Sequence, residues 1–194
     1  CKQVGEGSFG KVVVYERLSN KKLCAIKLLS KKTITASKQT DQVKNEKNVL
    51  KMLHDRLTEA GCRDDPQTGF ICMLHHSFQD AEFCYIVIDL ADGGDLKYHM
   101  RKGIHGCRYD AAKPNKGLPM AQARFFTANV LVGLHVLHER DILHRDIKPD
   151  NVVVGGDGYA LITDFGISKS MNSDENPGTS YKSTSGTWKY MAPE

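Results

Sequence analysis

The stretch that most constrains this chain is His144-Arg145-Asp146-Ile147-Lys148-Pro149-Asp150-Asn151, followed a short hairpin later by Asp164-Phe165-Gly166. Pro149 and Asp150 favour a turn in any context. An ordinary polar turn, however, does not gather a candidate base, a cation and an amide into six positions, as Asp146, Lys148 and Asn151 do here. The loop runs straight into Val152-Val153-Val154, an apolar triplet suited to a buried strand. Gly155-Gly156-Asp157-Gly158 then supplies a tight reversal. Tyr159-Ala160-Leu161-Ile162 reads as the returning strand, and a second carboxylate, Asp164, follows 18 residues after Asp146. This spacing predicts that both acidic sites lie at the same end of one hairpin, an arrangement that assembles a base and a metal around a phosphate.

The N-terminal part supplies a second phosphate signal. Gly5-Glu6-Gly7-Ser8-Phe9-Gly10-Lys11-Val12 fits G-x-G-x-x-G-x-V. A G-x-G-x-x-G alone is weak, because dinucleotide-binding folds also carry it. Here Val12-Val13-Val14-Tyr15 follows the glycines as a strand and not a helix, which disfavours the dinucleotide reading. A glycine-rich hairpin can lay backbone N–H groups over phosphates, with Val12 toward a base; a hairpin with no binding role is the alternative.

Cys24-Ala25-Ile26-Lys27-Leu28-Leu29 reads as a buried strand whose period of two puts Ala25 and Lys27 on one face. A lysine inside such a run is costly unless it is paired. The predicted helix from Gln39 to His54 offers a partner. Val43, Leu50 and Leu53 recur at helical spacing, and Glu46 shares their stripe, while Lys44, Asn45 and Lys47 occupy the polar side. One ammonium on a buried strand and one carboxylate on an apolar stripe are best explained by each other.

Between these signals, Asp55 to Gly69 is polar and reads as a loop, and Phe70–Phe78 and Phe83–Leu90 read as two strands. His75 and His76 have no ligand cluster around them and read as strand-edge residues. Arg101 to Leu118 is a second polar stretch, rich in Lys, Gly and Pro. A helix is predicted from Pro119, with proline in its first turn and Ala123, Phe126, Val130, Leu134 and Leu137 along one apolar face.

These residues together resemble the eukaryotic protein kinase family, over nearly the whole chain apart from the stretches 55–69 and 101–118, which look like insertions. Lys44-Asn45-Glu46-Lys47-Asn48-Val49-Leu50, His76-Ser77-Phe78-Gln79-Asp80, Gly93-Gly94-Asp95-Leu96 and Thr163–Lys169 look most like the AGC group. Lys148 and Thr187 follow the serine/threonine pattern. The segment Gly186-Thr187-Trp188-Lys189-Tyr190-Met191-Ala192-Pro193-Glu194 departs from the AGC pattern: it lacks Pro-Glu after Gly-Thr, and Ser185 precedes it where a cysteine is common.

The resemblance implies an α+β, two-lobed fold: an N-lobe with an antiparallel sheet and one main helix over residues 1–90, and a mostly helical, incomplete C-lobe over 91–194. It implies Mg²⁺-assisted, ATP-dependent phosphorylation of Ser/Thr hydroxyls on protein substrates. By resemblance, Asp146 is the base, Lys148 steadies the γ-phosphate, and Lys27, held by Glu46, takes the α- and β-phosphates. Asn151 and Asp164 hold the metal. ATP is expected to contact Gly5, Glu6, Gly7, Ser8, Phe9, Gly10, Val12, Ala25, Asp95 near the ribose, Val153, and the backbone of Asp89 and Leu90, with Ile88 as gatekeeper. Leu50, Leu74, His144 and Phe165 are expected to stack as a hydrophobic spine, which makes His144 structural.

Arg145 and Lys169 look like an anion site awaiting phosphate on Ser183 or Thr184, placed by an upstream kinase or by autophosphorylation. Asp95 and Asp150 are candidates to receive a basic residue upstream of the substrate's phosphosite. In the family Glu194 pairs with a downstream arginine, and the chain opens without Met only four residues before the glycine loop, so a fragment at both ends is expected.

The competing class is a pseudokinase that binds nucleotide or a partner without chemistry. Its mark would be a lost catalytic residue, and Lys27, Glu46, Asp146, Asn151 and Asp164 are all present. A small-molecule kinase is disfavoured by Ala192-Pro193-Glu194. A net charge of +4 spread over scattered lysines does not suggest a nucleic-acid surface, and no apolar run approaches a membrane span. Six cysteines without a Cys-x-x-Cys pair fit a reducing, cytoplasmic setting.

Overall fold

A computed structural model describes residues 3–7 (through their backbone), 10–62, 65–102, 117–171 and 186–193. Five strands form an antiparallel sheet: β1 (Gln3–Gly7), β2 (Gly10–Glu16), β3 (Leu23–Ser30), β4 (Leu74–Gln79) and β5 (Phe83–Asp89), in spatial order β1-β2-β3-β5-β4. β-Branched and aromatic residues dominate β2 and β5, as a half-buried pleated surface favours. Lys27 lies at the sheet's centre, opposite Val12 on β2 and Ile86 on β5. Gly10 permits the close approach of β2 to β3, since a Cβ there would sit 1.7 Å from the Leu28 carbonyl oxygen.

Two helices follow β3. The short α1 (Lys31–Ala36) is capped by Ser30 Oγ accepting from the Thr33 amide and buries Ile34. The long α2 (Thr40–Glu59) runs five residues beyond the predicted end at His54. Asp55–Glu59 is therefore helix and not the start of a loop, because the stripe Val43, Glu46, Leu50, Leu53 continues to a fully buried Leu57. Arg56 in the last turn adds a favourable charge at the C-terminal end.

The predicted strand from Phe70 begins only at Leu74. Pro66–Phe70 is a 3-10 turn capped by Asp65, whose side chain accepts from the Gln67 amide at 2.8 Å. Proline at its start favours the turn, and Ile71 bridges to Ile162 instead of joining the sheet. β4 is an edge strand, and the register slips at His75, in keeping with the strand-edge reading of the two histidines.

Beyond the sheet come α3 (Leu96–Lys102), α4 (Met120–His138) and two short strand pairings, β6 (Ile142–Leu143) with β9 (Lys169–Ser170) and β7 (Val152–Val154) with β8 (Ala160–Ile162). Asp95 caps α3, accepting from the Tyr98 amide at 2.6 Å. α4 buries Phe126, Gly133, Val136 and Leu137 as its apolar face, with Val130 and Leu134 partly covered. It also buries Asn129, whose Oδ1 accepts from the Ala160 amide at 2.9 Å and so pins the hairpin β7–β8 to the helix.

One continuous core joins the two parts, running from Ala25, Leu29, Leu50, Leu53 and Ile86 through Ile71 to Leu137, Ile142, Ile162 and Phe165. The α+β fold with an antiparallel sheet and one main helix matches the expectation. Replacing Leu57 with alanine should lower the unfolding free energy by about 2–5 kcal/mol in urea denaturation, a loss that a loop residue would not produce.

Candidate active site

The hairpin β7–β8 delivers the predicted convergence. Val152 pairs with Ile162 and Val154 with Ala160, so Asn151 and Asp164 emerge at the same end. The Thr163 amide donates to the Asn151 carbonyl at 3.0 Å and closes that end. The pairing of β6 with β9, Leu143 opposite Lys169, then lays the loop His144–Asp146 beside Asp164–Ser168.

Asp146 is the centre of the polar cluster. Its Oδ2 accepts from Lys148 Nζ at 2.6 Å and from Asn151 Nδ2 at 3.0 Å. Its Oδ1 accepts from both the amide and the hydroxyl of Thr187, at 2.9 and 2.7 Å. Burial works against ionisation of Asp146, but Lys148, Thr187 and Asn151 outweigh it and hold the carboxyl below its ordinary 3.8. Lys148 Nζ also donates to Thr187 Oγ1 at 2.8 Å. In sequence Thr187 is only a marker of the serine/threonine pattern; its contact with Asp146 spans 41 residues and is set by the fold.

Lys27 and Glu46 form the expected ion pair, with side chains 18% and 6% exposed. Burial opposes the charge on Lys27, yet Glu46 and Asp164 push its pKa up to about 12. A cavity of about 320 Å³ opens among Glu46, Asp146, Lys148, Asp164, Gly166 and Thr187, so three of the predicted carboxylates and one predicted cation face one space.

His144 is 2% exposed and packs edge-on against Phe165, with ring centroids 5.0 Å apart. Its Nε2–H donates to the Thr163 carbonyl at 3.0 Å, and its Nδ1 accepts from the Asp146 amide at 3.3 Å. That pattern requires the neutral tautomer, and burial holds its pKa below the ordinary 6.5. Leu50, Leu74 and Phe165 are buried in the same core.

Three non-glycine residues around the loops, Asp141, Arg145 and Asp164, hold left-handed backbone angles of +54°, +65° and +68°. Such conformations cost on the order of 1–2 kcal/mol each and persist only where surrounding contacts impose them. Arg145 Nε donates to the Ile167 carbonyl at 2.7 Å. Asn45, read from sequence as a polar-face residue, instead turns to the Asp164-Phe165-Gly166 loop, and its Nδ2 approaches three loop carbonyls. The signal that could have revealed it is a poor helix former in mid-helix beside Glu46.

Among the nucleotide-contact candidates, Ala25 is buried, Val12, Leu90 and Val153 are half-buried, and Asp95 bridges to Val153. Gly5, Glu6 and Gly7 form β1 and Gly10 opens β2, while Ser8 and Phe9 lie outside the described residues. Asp89 Oδ1 pairs with His75 Nε2 at 2.7 Å and its Oδ2 accepts from the Met73 amide at 2.8 Å, so the side chain is engaged. Asp150 forms an ion pair with Lys97. Ser183, Thr184 and Glu194 also lie outside the described residues.

Among the described residues no group of three or more His, Cys, Asp or Glu could cage a metal ion alone. Asp164 and the Asn151 amide oxygen are hard donors that suit Mg²⁺ shared with a phosphate, and Asn151 keeps its nitrogen turned to Asp146. Cys24, Cys62, Cys72 and Cys84 are free thiols. No helix among the described residues is long and apolar enough to cross a membrane.

With this sheet, helix and pair of loops, the chain belongs to the protein kinase domain family, whose pattern it matches over residues 1–194. It is 34% identical over 193 residues to serine/threonine-protein kinase Sgk1 of Danio rerio, covering 100% of this chain and 38% of that protein. It is 32% identical over 191 residues to Protein kinase 2 of Dictyostelium discoideum, covering 98% and 34%. Serine/threonine-protein kinase sck2 of Schizosaccharomyces pombe is 32% identical over 193 residues, covering 100% and 26%. The serine/threonine, AGC-like resemblance is therefore borne out, and the chain spans about a third of the length of these relatives.

Because the folded-state pKa of His144 is depressed, the unfolded chain binds more protons just below pH 6.5, and stability should fall as pH drops through that window. Urea unfolding between about pH 7 and pH 5 should show this decline, and it should be shallower in His144→Gln, which keeps a donor and an acceptor without titrating.

Proposed function

We infer that this chain is the catalytic part of an ATP-dependent protein serine/threonine kinase. The observation that carries the reading is the gathering of Glu46, Asp146, Lys148 and Asp164 around one cavity, with Lys27 paired to Glu46 and Asn151 bonded to Asp146. Residues 1–90 would form the nucleotide-binding lobe, and 91–194 the start of the lobe that holds the catalytic loop.

Lys27, fixed by Glu46, would bind the α- and β-phosphates, and the backbone of Gly5, Glu6, Gly7, Ser8, Phe9 and Gly10 would cover them. Val12, Ala25 and Val153 would sandwich the base, the backbone of Asp89 and Leu90 would bond its edge, and Asp95 would lie near the ribose. Asp146 would orient a Ser or Thr hydroxyl and take its proton. The 2.7 Å bond from the Thr187 hydroxyl to its Oδ1 supports this, since it has the reach and acceptor geometry needed. Lys148 would steady the γ-phosphate as charge shifts to the leaving oxygen. Asn151 and Asp164 would hold Mg²⁺, which when bound neutralises charge on the phosphate oxygens. Nothing in the set is a covalent nucleophile, so positioning and charge balance carry the chemistry.

Arg145 and Lys169 would receive phosphate on Ser183 or Thr184, from an upstream kinase or from the protein itself, and order the intervening segment. Substrates would be proteins. A preference for a basic residue upstream of the phosphosite would act through Asp95 and Asp150, with Lys97 competing for Asp150. The free, largely covered thiols fit a reducing cytoplasm.

Transfer from ATP to a mixed Ser/Thr/Tyr peptide library is the test. Ser/Thr peptides should be labelled, and Asp146→Asn should lower kcat by about 10²–10⁴-fold while ATP still binds. Nucleotide binding without transfer would make the protein a pseudokinase. Mass spectrometry of the activated protein should find phosphate on Ser183 or Thr184; both unmodified would remove the activation-segment assignment.

A further inference from the structure

Two neighbouring side chains of α2 reach into different parts of the site. Glu46 takes Lys27 from the sheet. Asn45 Nδ2 lies 3.3 Å from the Phe165 carbonyl, 3.1 Å from that of Gly166 and 2.8 Å from that of Ser168. An amide nitrogen has two hydrogens, so the three acceptors share them, the shortest bond going to Ser168. These carbonyls belong to the loop that follows Asp164, the residue held at a φ of +68°. A strained residue of this kind stays put only if its flanks are held. On one side the loop is held by the catalytic loop, through Ser168 Oγ donating to the His144 carbonyl at 3.1 Å and through the packing of Phe165 on His144. On the other side Asn45 ties it to α2.

The far end of α2 is fixed as well, since Arg56 Nη1 donates to the Arg140 carbonyl just after α4. The helix is thus anchored at its C-terminal turn, and its first two turns carry both reaching groups.

We propose that Asn45 is a positioning residue that fastens the loop after Asp164 to α2 and so keeps Asp164 presented to the cleft. The inference rests on the kinase reading for its activity arm alone. Asn45 touches neither phosphate nor metal in this role; it acts through the backbone that aims Asp164.

The test compares the full chain with Asn45→Asp, which keeps the size but replaces the donor with a charge facing carbonyls, and Asn45→Ala, which adds no charge. The first readout is amide hydrogen exchange without ligand. The Ser168 amide, which donates to the Phe165 carbonyl at 3.1 Å, should exchange faster in both variants, while β7 and β8 are unchanged. The second is the Mg²⁺ concentration needed for half-maximal ATP binding, which should rise about tenfold, with kcat recovering at saturating Mg²⁺. Lys44→Ala, an exposed neighbour on the same helix, should move neither readout. Unchanged exchange and unchanged Mg²⁺ requirement in folded variants would overturn the proposal. So would loss of cooperative unfolding in both, which would make Asn45 a residue of general stability. A wild-type chain that transfers no phosphate would sink the kinase reading, and the exchange comparison would still judge the tie.

Discussion

The structure depends on a charge that cannot be left alone. Lys27 sits in the middle strand of the sheet, flanked by Val12 and Ile86, where little water reaches it. A buried ammonium without a partner costs several kcal/mol, and removing one member of such a pair typically destabilises by about 3–5 kcal/mol. Glu46 meets that demand, and to do so α2 must lie against the sheet with its stripe from Val43 to Leu57 turned inward. The apolar stripe supplies the binding energy for this docking. The ion pair sets the rotation of the helix about its own axis.

Once that rotation is set, the rest of the site follows from it. Asn45, one residue from Glu46, points to the loop after Asp164, and Arg56, near the other end, meets the end of α4. The same helix therefore touches the sheet, the candidate metal loop and the helix that feeds the catalytic loop. That geometry allows Lys27 to be influenced by Asp164 across the cleft, as its raised pKa records.

The catalytic loop is braced by elements that would be unstable alone. The β6–β9 and β7–β8 pairings are two and three residues long, well below what an isolated ribbon needs. They persist because Ile142, Val152, Ile162 and Phe165 are almost wholly buried, and because Asn129 reaches across from α4 to an otherwise unpaired amide. The left-handed angles at Arg145 and Asp164 are maintained by this brace. A polar loop with strained backbone thereby behaves as a fixed part of the scaffold.

Much of this was legible in the order of residue types alone. The hairpin that joins Asn151 to Asp164 was readable because its signals are local: an apolar triplet, a glycine reversal and a second short strand. The pairing of Lys27 with Glu46 was readable because a misplaced charge on each of two periodic elements demands an explanation, and each explains the other. Local pattern failed where an element's fate depended on what packed over it. Asp55–Glu59 looks like a polar loop until Leu57 is found under the core, and Phe70–Met73 looks like strand until the turn before it is seen against α4. The contacts of Asn45 with the loop carbonyls, of Asn129 with Ala160 and of Thr187 with Asp146 lie further still from any local rule. Side-chain amides and hydroxyls have no periodic signature, and their partners are 31 to 123 residues away. The sequence by itself determined which groups the chain can bring to chemistry and on which elements they ride. The tertiary structure decided which of them meet, because hydrogen bonding is short-ranged and only packing sets distances between parts of the chain so far apart.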